Sequence, residues 1–292
     1  MDYSNITDRL FKDIDVHEVA EKAERFRTDT VYFRTKRVYA HCLSCLDLTS
    51  LGATDSRESV TAFARKAADF RKSFPHLPDV ATVCVFPVFV DAVGLALEDS
   101  EIGITAVAGG FPSGQTFVEV KMLECAMAEE NGADEIDIVL NPGLFRDGMY
   151  QVAAGEIEII RQELDRDTVL KVIIESGLQP FLTDVRKAAV VAMAGGADMI
   201  KTSTGKNGAG AAPDAVVVMC EAIRDYFALT GEKVGIKVAG GVRTVEDAVL
   251  YYTIVKSVLG DEWLTPDLFR IGASSLANDL LSAIEDREVR YF

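Results

Sequence analysis

Eight times along this chain, a short apolar and β-branched run is followed by Gly, Pro, Ser, Thr or Asn and then by a stretch with helical periodicity. That is the layout of repeated βα units, in which helices returning over a parallel sheet bury each strand on both faces. The runs are Ala40–Asp47, Ala81–Phe86, Gly103–Ala108, Glu135–Leu140, Leu170–Glu175, Met199–Ser203, Gly235–Ala239 and Phe269–Gly272, with helical stretches such as Phe117–Asn131, Tyr150–Leu164 and Thr183–Ala194 between them. Eight units predict an α/β fold, a single (β/α)8 TIM barrel. A doubly wound open sheet alternates in the same way, but no G-x-G-x-x-G follows the first run. A barrel takes roughly 250 residues, so the 292 present leave about 40 over. No Pro/Ser-rich linker or charge block interrupts the series. Residues 1–35 therefore read as an N-terminal helical extension, with a charged helix around Val16–Arg27 on the barrel exterior, and 36–292 as the barrel domain.

Composition narrows the functional classes. A chain that is 49% hydrophobic and 26% charged is globular rather than disordered. Thirty Lys+Arg against 46 Asp+Glu give a net charge of −16, a field that repels polyanions and argues against nucleic-acid partners. No apolar run approaches the roughly 20 residues of a membrane span, and the first residues lack the basic-then-apolar layout of a signal peptide. A cytoplasmic protein with no membrane partner is expected. Five cysteines, Cys42, Cys45, Cys84, Cys125 and Cys220, lie in apolar segments and suit reduced buried thiols. Cys42 and Cys45 form a lone C-x-x-C, and the three histidines, His17, His41 and His76, are not at ligand spacing. No metal site and no cofactor are expected, and the scarcity of histidine weighs against a His general base.

In a barrel, chemistry sits where strands end at the C-terminal face, so charged residues interrupting apolar strands are the ones to examine. Three lysines qualify: Lys171, Lys201 and Lys237. Period-2 alternation puts Met199, Lys201 and Ser203 on one face and Gly235, Lys237 and Ala239 on one face of the next strand. If both faces point inward, the two ammonium groups converge. Desolvation and like charge then disfavour protonation, and a neutral amine is a nucleophile toward carbonyls. The alternative is that each lysine pairs with a strand carboxylate, such as Glu175 or Asp137, as a structural ion pair. Asp137 shares a face with Glu135, Val139 and Asn141 and could relay protons, whereas Asp47, ahead of Leu-Thr-Ser, reads as a capping or orienting residue.

Three short elements late in the chain suit an anion. Gly205-Lys206, Gly240-Gly241-Val242-Arg243 and Gly272-Ala273-Ser274-Ser275 follow the sixth, seventh and eighth runs. Glycines let backbone N–H groups approach closely, and Ser, Lys and Arg complete the contacts. Barrels often bind phosphate after strands seven and eight. A phosphorylated carbonyl compound is the expected substrate class.

These motifs resemble the 2-deoxy-D-ribose-5-phosphate aldolase family. The matching segments are Cys45-Leu-Asp-Leu-Thr-Ser50, Thr82-Val-Cys-Val-Phe-Pro87, Gly110-Phe-Pro-Ser-Gly-Gln115, Asp134-Glu-Ile-Asp-Ile-Val139, Leu170-Lys-Val-Ile-Ile-Glu175, Gly196-Ala-Asp-Met-Ile-Lys-Thr-Ser-Thr-Gly-Lys206, Ala239-Gly-Gly-Val-Arg243 and Arg270-Ile-Gly-Ala-Ser-Ser275. They span about residues 40 to 280, most of the barrel expected here. The resemblance implies a class I aldolase that cleaves 2-deoxy-D-ribose 5-phosphate to D-glyceraldehyde 3-phosphate and acetaldehyde, in deoxyribonucleotide catabolism. It implies Lys201 as the Schiff-base lysine, Lys237 as the residue lowering its pKa, Asp137 in the proton relay and Lys171 in support. It also implies phosphate contacts at Gly205, Lys206, Gly240, Gly241, Gly272, Ser274 and Ser275, with Cys84 lining the pocket near the carbonyl. An aldolase with a different aldehyde donor, or a noncatalytic phosphosugar-binding barrel, would use the same pocket.

Three departures from the family pattern stand out. Val238 occupies a position usually held by proline, and alternation turns it away from the interior. The segment Asn207-Gly-Ala-Gly-Ala-Ala212 is unusually glycine-rich, which suggests a mobile loop. Tyr291 is a candidate equivalent of the C-terminal tyrosine that assists proton transfer in bacterial members. Barrels of this kind often form homodimers or homotetramers through outer helices, though no exposed apolar stripe stands out in the sequence.

Overall fold

Eight parallel strands close on themselves in sequence order: β1 (Leu46–Thr49), β2 (Thr82–Val85), β3 (Gly103–Val107), β4 (Glu135–Val139), β5 (Val169–Ile173), β6 (Met199–Lys201), β7 (Gly235–Ala239) and β8 (Phe269–Ala273), with β8 pairing back to β1. This is a (β/α)8 barrel, seen in a computed structural model that describes residues 3–208 and 210–292. Its helices are α1 (Tyr3–Leu10), α2 (Val16–Asp29), α3 (Lys36–Ser44), α4 (Arg57–Ala68), α5 (Phe70–Ser73), α6 (Val90–Leu97), α7 (Val118–Glu130), α8 (Pro142–Arg146), α9 (Tyr150–Glu163), α10 (Leu182–Ala194), α11 (Pro213–Thr230), α12 (Val245–Leu259) and α13 (Leu276–Glu285). Among the described residues, no helix is long and apolar enough to cross a membrane.

The first strand is shorter and later than its apolar run suggests. Residues 36–44 are helix α3, because Thr35 caps its start by accepting a hydrogen bond from the Val38 amide, and Val38 and Cys42, four apart, bury the same face. Only Leu46–Thr49 is strand. Strand β5 also stops early, before Glu175 turns left-handed at φ +48°, and β6 ends at Lys201.

Alternation divides each strand between two environments. Outward residues such as Val83, Ile136, Ile138, Leu170, Val172, Ile200, Ile236, Val238, Phe269 and Ile271 are buried in one continuous apolar layer under the helices. Val238 therefore points away from the interior, as alternation requires. The inward set is unusually polar for a barrel, whose centre is ordinarily filled by branched apolar side chains: Asp47, Thr82, Thr105, Glu135, Asp137, Lys171, Lys201, Lys237 and Arg270 are all buried.

Ahead of the barrel, α1 packs on α10 and α11, and α2 packs on α11 and α12. Buried polar contacts fix the extension in place. Arg186, fully buried on α10, donates to the Leu10 carbonyl at 2.8 Å and to Asp225 at 2.7 Å. Lys12 reaches the same Asp225 carboxylate, and Lys22 reaches Glu221.

Candidate active site

Register explains why residues far apart in sequence meet. Asp137 and Lys171 are cross-strand partners, as are Lys201 and Lys237, and Lys237 and Arg270. With all of these side chains directed inward, their charges share the centre of the barrel. Asp137 is the hub: its Oδ2 accepts from Lys201 Nζ at 2.7 Å and from Lys237 Nζ at 2.8 Å, and its Oδ1 accepts from Lys171 Nζ at 3.0 Å. Lys237 also lies 2.5 Å from Asp47. Arg270 closes the base, donating to Asp47 at 2.6 Å and to Glu135 at 2.7 Å, and Glu135 in turn holds Lys171. Thr105 links Thr82 and Glu135 at 2.9 Å each.

The three lysines differ electrostatically. Burial and the neighbouring Lys237 charge hold Lys201 below the usual lysine range, against the opposing pull of Asp137. Lys171 and Lys237 lie above that range: burial alone would lower both, but Asp137 with Glu135 outweighs it for Lys171, and Asp137 with Asp47 does so for Lys237. Asp137, though buried, is held well below the usual carboxylate range by its three ammonium neighbours. Ion pairing and activation, alternatives at the level of sequence, thus coexist in one cluster. Two lysines are locked as ammonium ions and the third is biased toward the amine.

Of the three, only Lys201 lines the open cavity at the C-terminal face, a space of about 400 Å³. Its far wall is formed by Gly205, Lys206, Gly240, Gly241, Arg243, Gly272, Ser274 and Ser275. All seven residues assigned from the sequence to the anion site therefore share one cavity with Lys201. Glycine is required at two of them. A Cβ on Gly240 would stand 2.9 Å from the Gly210 Cα, and one on Gly272 would stand 3.1 Å from Lys237 Cε, so Gly272 leaves room for the lysine stem. Ser274 and Ser275 immediately precede α13, whose first-turn amides favour an anion. The Lys206 ammonium donates to the Leu51 carbonyl at the rim.

The expectations for Glu175 and Tyr291 need correction, and those for Asp47 and Cys84 are sharpened. Asp47 caps nothing; it is buried between Lys237 and Arg270, an orienting position. Glu175 does not pair with a lysine. Its carboxylate accepts from the Thr204 amide at 3.0 Å, the Thr204 hydroxyl at 2.7 Å and Asn207 at 3.3 Å, tying down the start of the β6–α11 loop. Cys84 shares the inward face of β2 with Thr82, its thiol buried against Leu51 and Val107 and close enough to Lys201, Lys237 and Asp137 to feel their charges; burial raises its pKa. Tyr291 is far from the lysines in its contacts: it packs edge-on to Phe70 and Phe74, and its hydroxyl donates to the Lys66 carbonyl. Of Asn207–Ala212, expected to be mobile, Ala209 lies outside the described residues, while Asn207 donates to the Pro112 carbonyl at 3.2 Å and the Ala211 amide donates to the Gly240 carbonyl at 2.9 Å.

Sequence reasoning gave no role to Arg270 or Thr105 and left Glu135 as a face-mate of Asp137. The signal for Arg270 was the one used for the lysines, a charge inside an apolar strand, here two residues before Gly272. The structure also presents an apolar stripe that the sequence did not make evident: Phe117 at the start of α7 and Val120, Leu123 and Met127 along it are all about half or more exposed, beside exposed Val88.

Residues 49–282 match the profile of the DeoC/LacD family aldolases. The chain is 43% identical to the deoxyribose-phosphate aldolase of Mus musculus over 246 residues, covering 80% of this chain and 77% of the mouse protein. It is 35% identical to that of Agrobacterium fabrum over 256 residues, covering 87% of this chain and 95% of the bacterial one. Among solved structures, a deoxyribose phosphate aldolase from Aeropyrum pernix, described as a unique tetrameric structure, superposes with a TM-score of 0.68 at 26% identity, covering 88% of this chain and 97% of that one.

Proposed function

The chain belongs to the DeoC/LacD family of aldolases, and from that membership and its buried lysine cluster we propose a class I aldolase that reversibly cleaves 2-deoxy-D-ribose 5-phosphate to D-glyceraldehyde 3-phosphate and acetaldehyde. One observation carries the assignment of roles: the lysine biased toward the amine is the one that lines the cavity. The Lys201 amine attacks the open-chain C1 aldehyde and loses water to give an iminium. That electron sink accepts the C2–C3 bonding pair as the C3 hydroxyl proton leaves through Asp137, Lys237 and a water, releasing glyceraldehyde 3-phosphate. Protonation of the enamine at carbon and hydrolysis then free acetaldehyde and the amine. Lys237 and Lys171, held protonated by their carboxylates, supply the positive field at the reacting centre.

The phosphate is assigned to the far wall of the cavity, on the amides of Gly205, Gly240, Gly241 and Gly272, the hydroxyls of Ser274 and Ser275, and the Lys206 ammonium swung in from Leu51. Lys206→Ala and Ser274→Ala are each expected to raise KM for the phosphorylated substrate about tenfold with kcat little changed, the loss of roughly one charge-assisted hydrogen bond. An unchanged preference for deoxyribose 5-phosphate over deoxyribose would remove these residues from the site.

The reaction belongs to deoxyribonucleotide catabolism, and five buried unpaired cysteines suit the reducing cytoplasm. A homodimer or homotetramer is proposed, with the α7 stripe as the apolar face available to a second copy. One experiment tests both readings. Borohydride reduction with acetaldehyde, followed by native mass measurement and peptide mapping, should find an ethyl group on Lys201 in a particle of two or four chains. No adduct on folded protein would favour the noncatalytic binding barrel, and a single-chain mass would refute the assembly.

A further inference from the structure

The barrel interior holds four cations, Lys171, Lys201, Lys237 and Arg270, and three carboxylates, Asp47, Glu135 and Asp137, none more than 6% exposed. With every group ionised, the interior carries one surplus positive charge. Loss of a single proton makes it neutral, and low-dielectric surroundings favour that state strongly. The contacts decide which group gives it up. Arginine does not deprotonate in proteins. Lys171 lies against Glu135, Asp137 and, at 3.8 Å, Asp47, while Lys237 lies against Asp47 and Asp137. Lys201 has Asp137 alone.

We propose that Arg270, which does not line the cavity, is a positioning residue that makes Lys201 the neutral amine: by engaging Asp47 and Glu135 at the base, it supplies the cation that leaves Lys201 in surplus. The argument rests on Lys201 as the Schiff-base lysine. Other charged or titratable groups around Lys201 do not alter the count. Cys84 has its thiol pKa raised by burial and stays uncharged at neutral pH. Glu175 and Asp55 lie outside the cluster: neither pairs with any of the four cations, whose ionic partners are Asp47, Glu135 and Asp137, and their carboxylates accept instead from Thr204 and Asn207 and from Ser50 and the Gly52 amide. Lys206 and Arg243 stand at the solvent-exposed rim of the cavity, where water screens them. The shift of Lys201 below its usual range, opposite to Lys171 and Lys237, agrees with the geometric count.

The test is the pH dependence of Lys201 alkylation by acetaldehyde and cyanoborohydride, read by peptide mapping. The amine fraction rises as pH climbs through the Lys201 pKa, so a lower pKa puts the half-rise at lower pH. Arg270→Met removes a cation, which makes the Lys201 proton harder to lose, and should move the half-rise up by about one pH unit. Glu135→Gln removes an anion with little change of shape and should move it down by about the same amount. The double variant should return near the wild-type value. Loosened packing would shift both single variants in the same direction, so opposite shifts identify the charge count. Half-rises that stay put or move together overturn the proposal while leaving Lys201 as the nucleophile. Absence of any Lys201 adduct in the wild type overturns the Schiff-base reading itself, and this proposal with it. If Arg270→Met does not fold, a half-rise in Glu135→Gln that fails to move down is sufficient refutation.

Discussion

Lys201→Leu is expected to lower turnover of deoxyribose 5-phosphate by about four orders of magnitude or more, because it removes the nucleophile on which every later step depends. The fold should survive. With Lys201 a neutral amine, its removal leaves the interior charge unchanged, Lys171, Lys237 and Arg270 against three carboxylates, a balanced set in which Asp137 keeps two ammonium partners. Replacing a buried charge by an apolar side chain of similar volume is often neutral or stabilising when no partner is orphaned. Melting temperature should therefore be unchanged or slightly raised while the aldehyde-release assay falls to background. Substantial residual aldolase activity would show that another amine carries the chemistry, and a large drop in melting temperature would mean that Lys201 is chiefly a structural counter-ion.

Asp137→Leu has the largest expected effect on stability. The carboxylate accepts from three lysines at 2.7, 2.8 and 3.0 Å, and two of them are held protonated mainly by it. Its removal leaves Lys171, Lys237 and Arg270 against two carboxylates in a buried space. Breaking a buried pair from one side costs about 3–5 kcal/mol, and more than one partner is stranded here. For a chain of this size that is a fall of about 10 °C in melting temperature. The effect has a definite pH window. Because the Asp137 pKa is depressed on folding, its contribution is complete above the unfolded carboxyl value near pH 4 and is lost only as pH falls toward the folded one. Wild type and variant should differ most at neutral pH and converge in strong acid. A difference of only a degree or two at pH 7 would show that the lysines simply deprotonate when their hub is removed.

Much of this is legible in the amino-acid sequence. The eight strands were marked by β-branched runs, seven of them close to their observed bounds, and the lysines by a charge standing where alternation demands an apolar residue. The first strand was misplaced because Ala40-His-Cys-Leu-Ser reads equally well at period 2 and period 3.6, and what decides it is the Thr35 cap. Glu135 and Arg270 could be placed on inward faces, yet which inward groups touch depends on the stagger that closing the barrel imposes, a long-range property. Tyr291 failed as a site residue for a similar reason. Its position is set by Asn278, which accepts from its amide, and by Phe70 and Phe74, more than two hundred residues away in sequence.

The two leading helices have a consequence for the modularity of this fold. Helix α11 is apolar around most of its circumference, with Val216, Val217, Val218, Met219 and Cys220 all fully buried, and barrel strands cover only one side of it. The other sides lie against α1, α2, α10 and α12. The extension is thus a second wall for that helix, bolted down by Arg186, Lys12 and Lys22. A trimmed barrel starting at the first strand would carry an unclad greasy column on its flank. The eight-unit cylinder is for this reason not a portable cassette, and recombination or grafting has to carry the leading helices along with it.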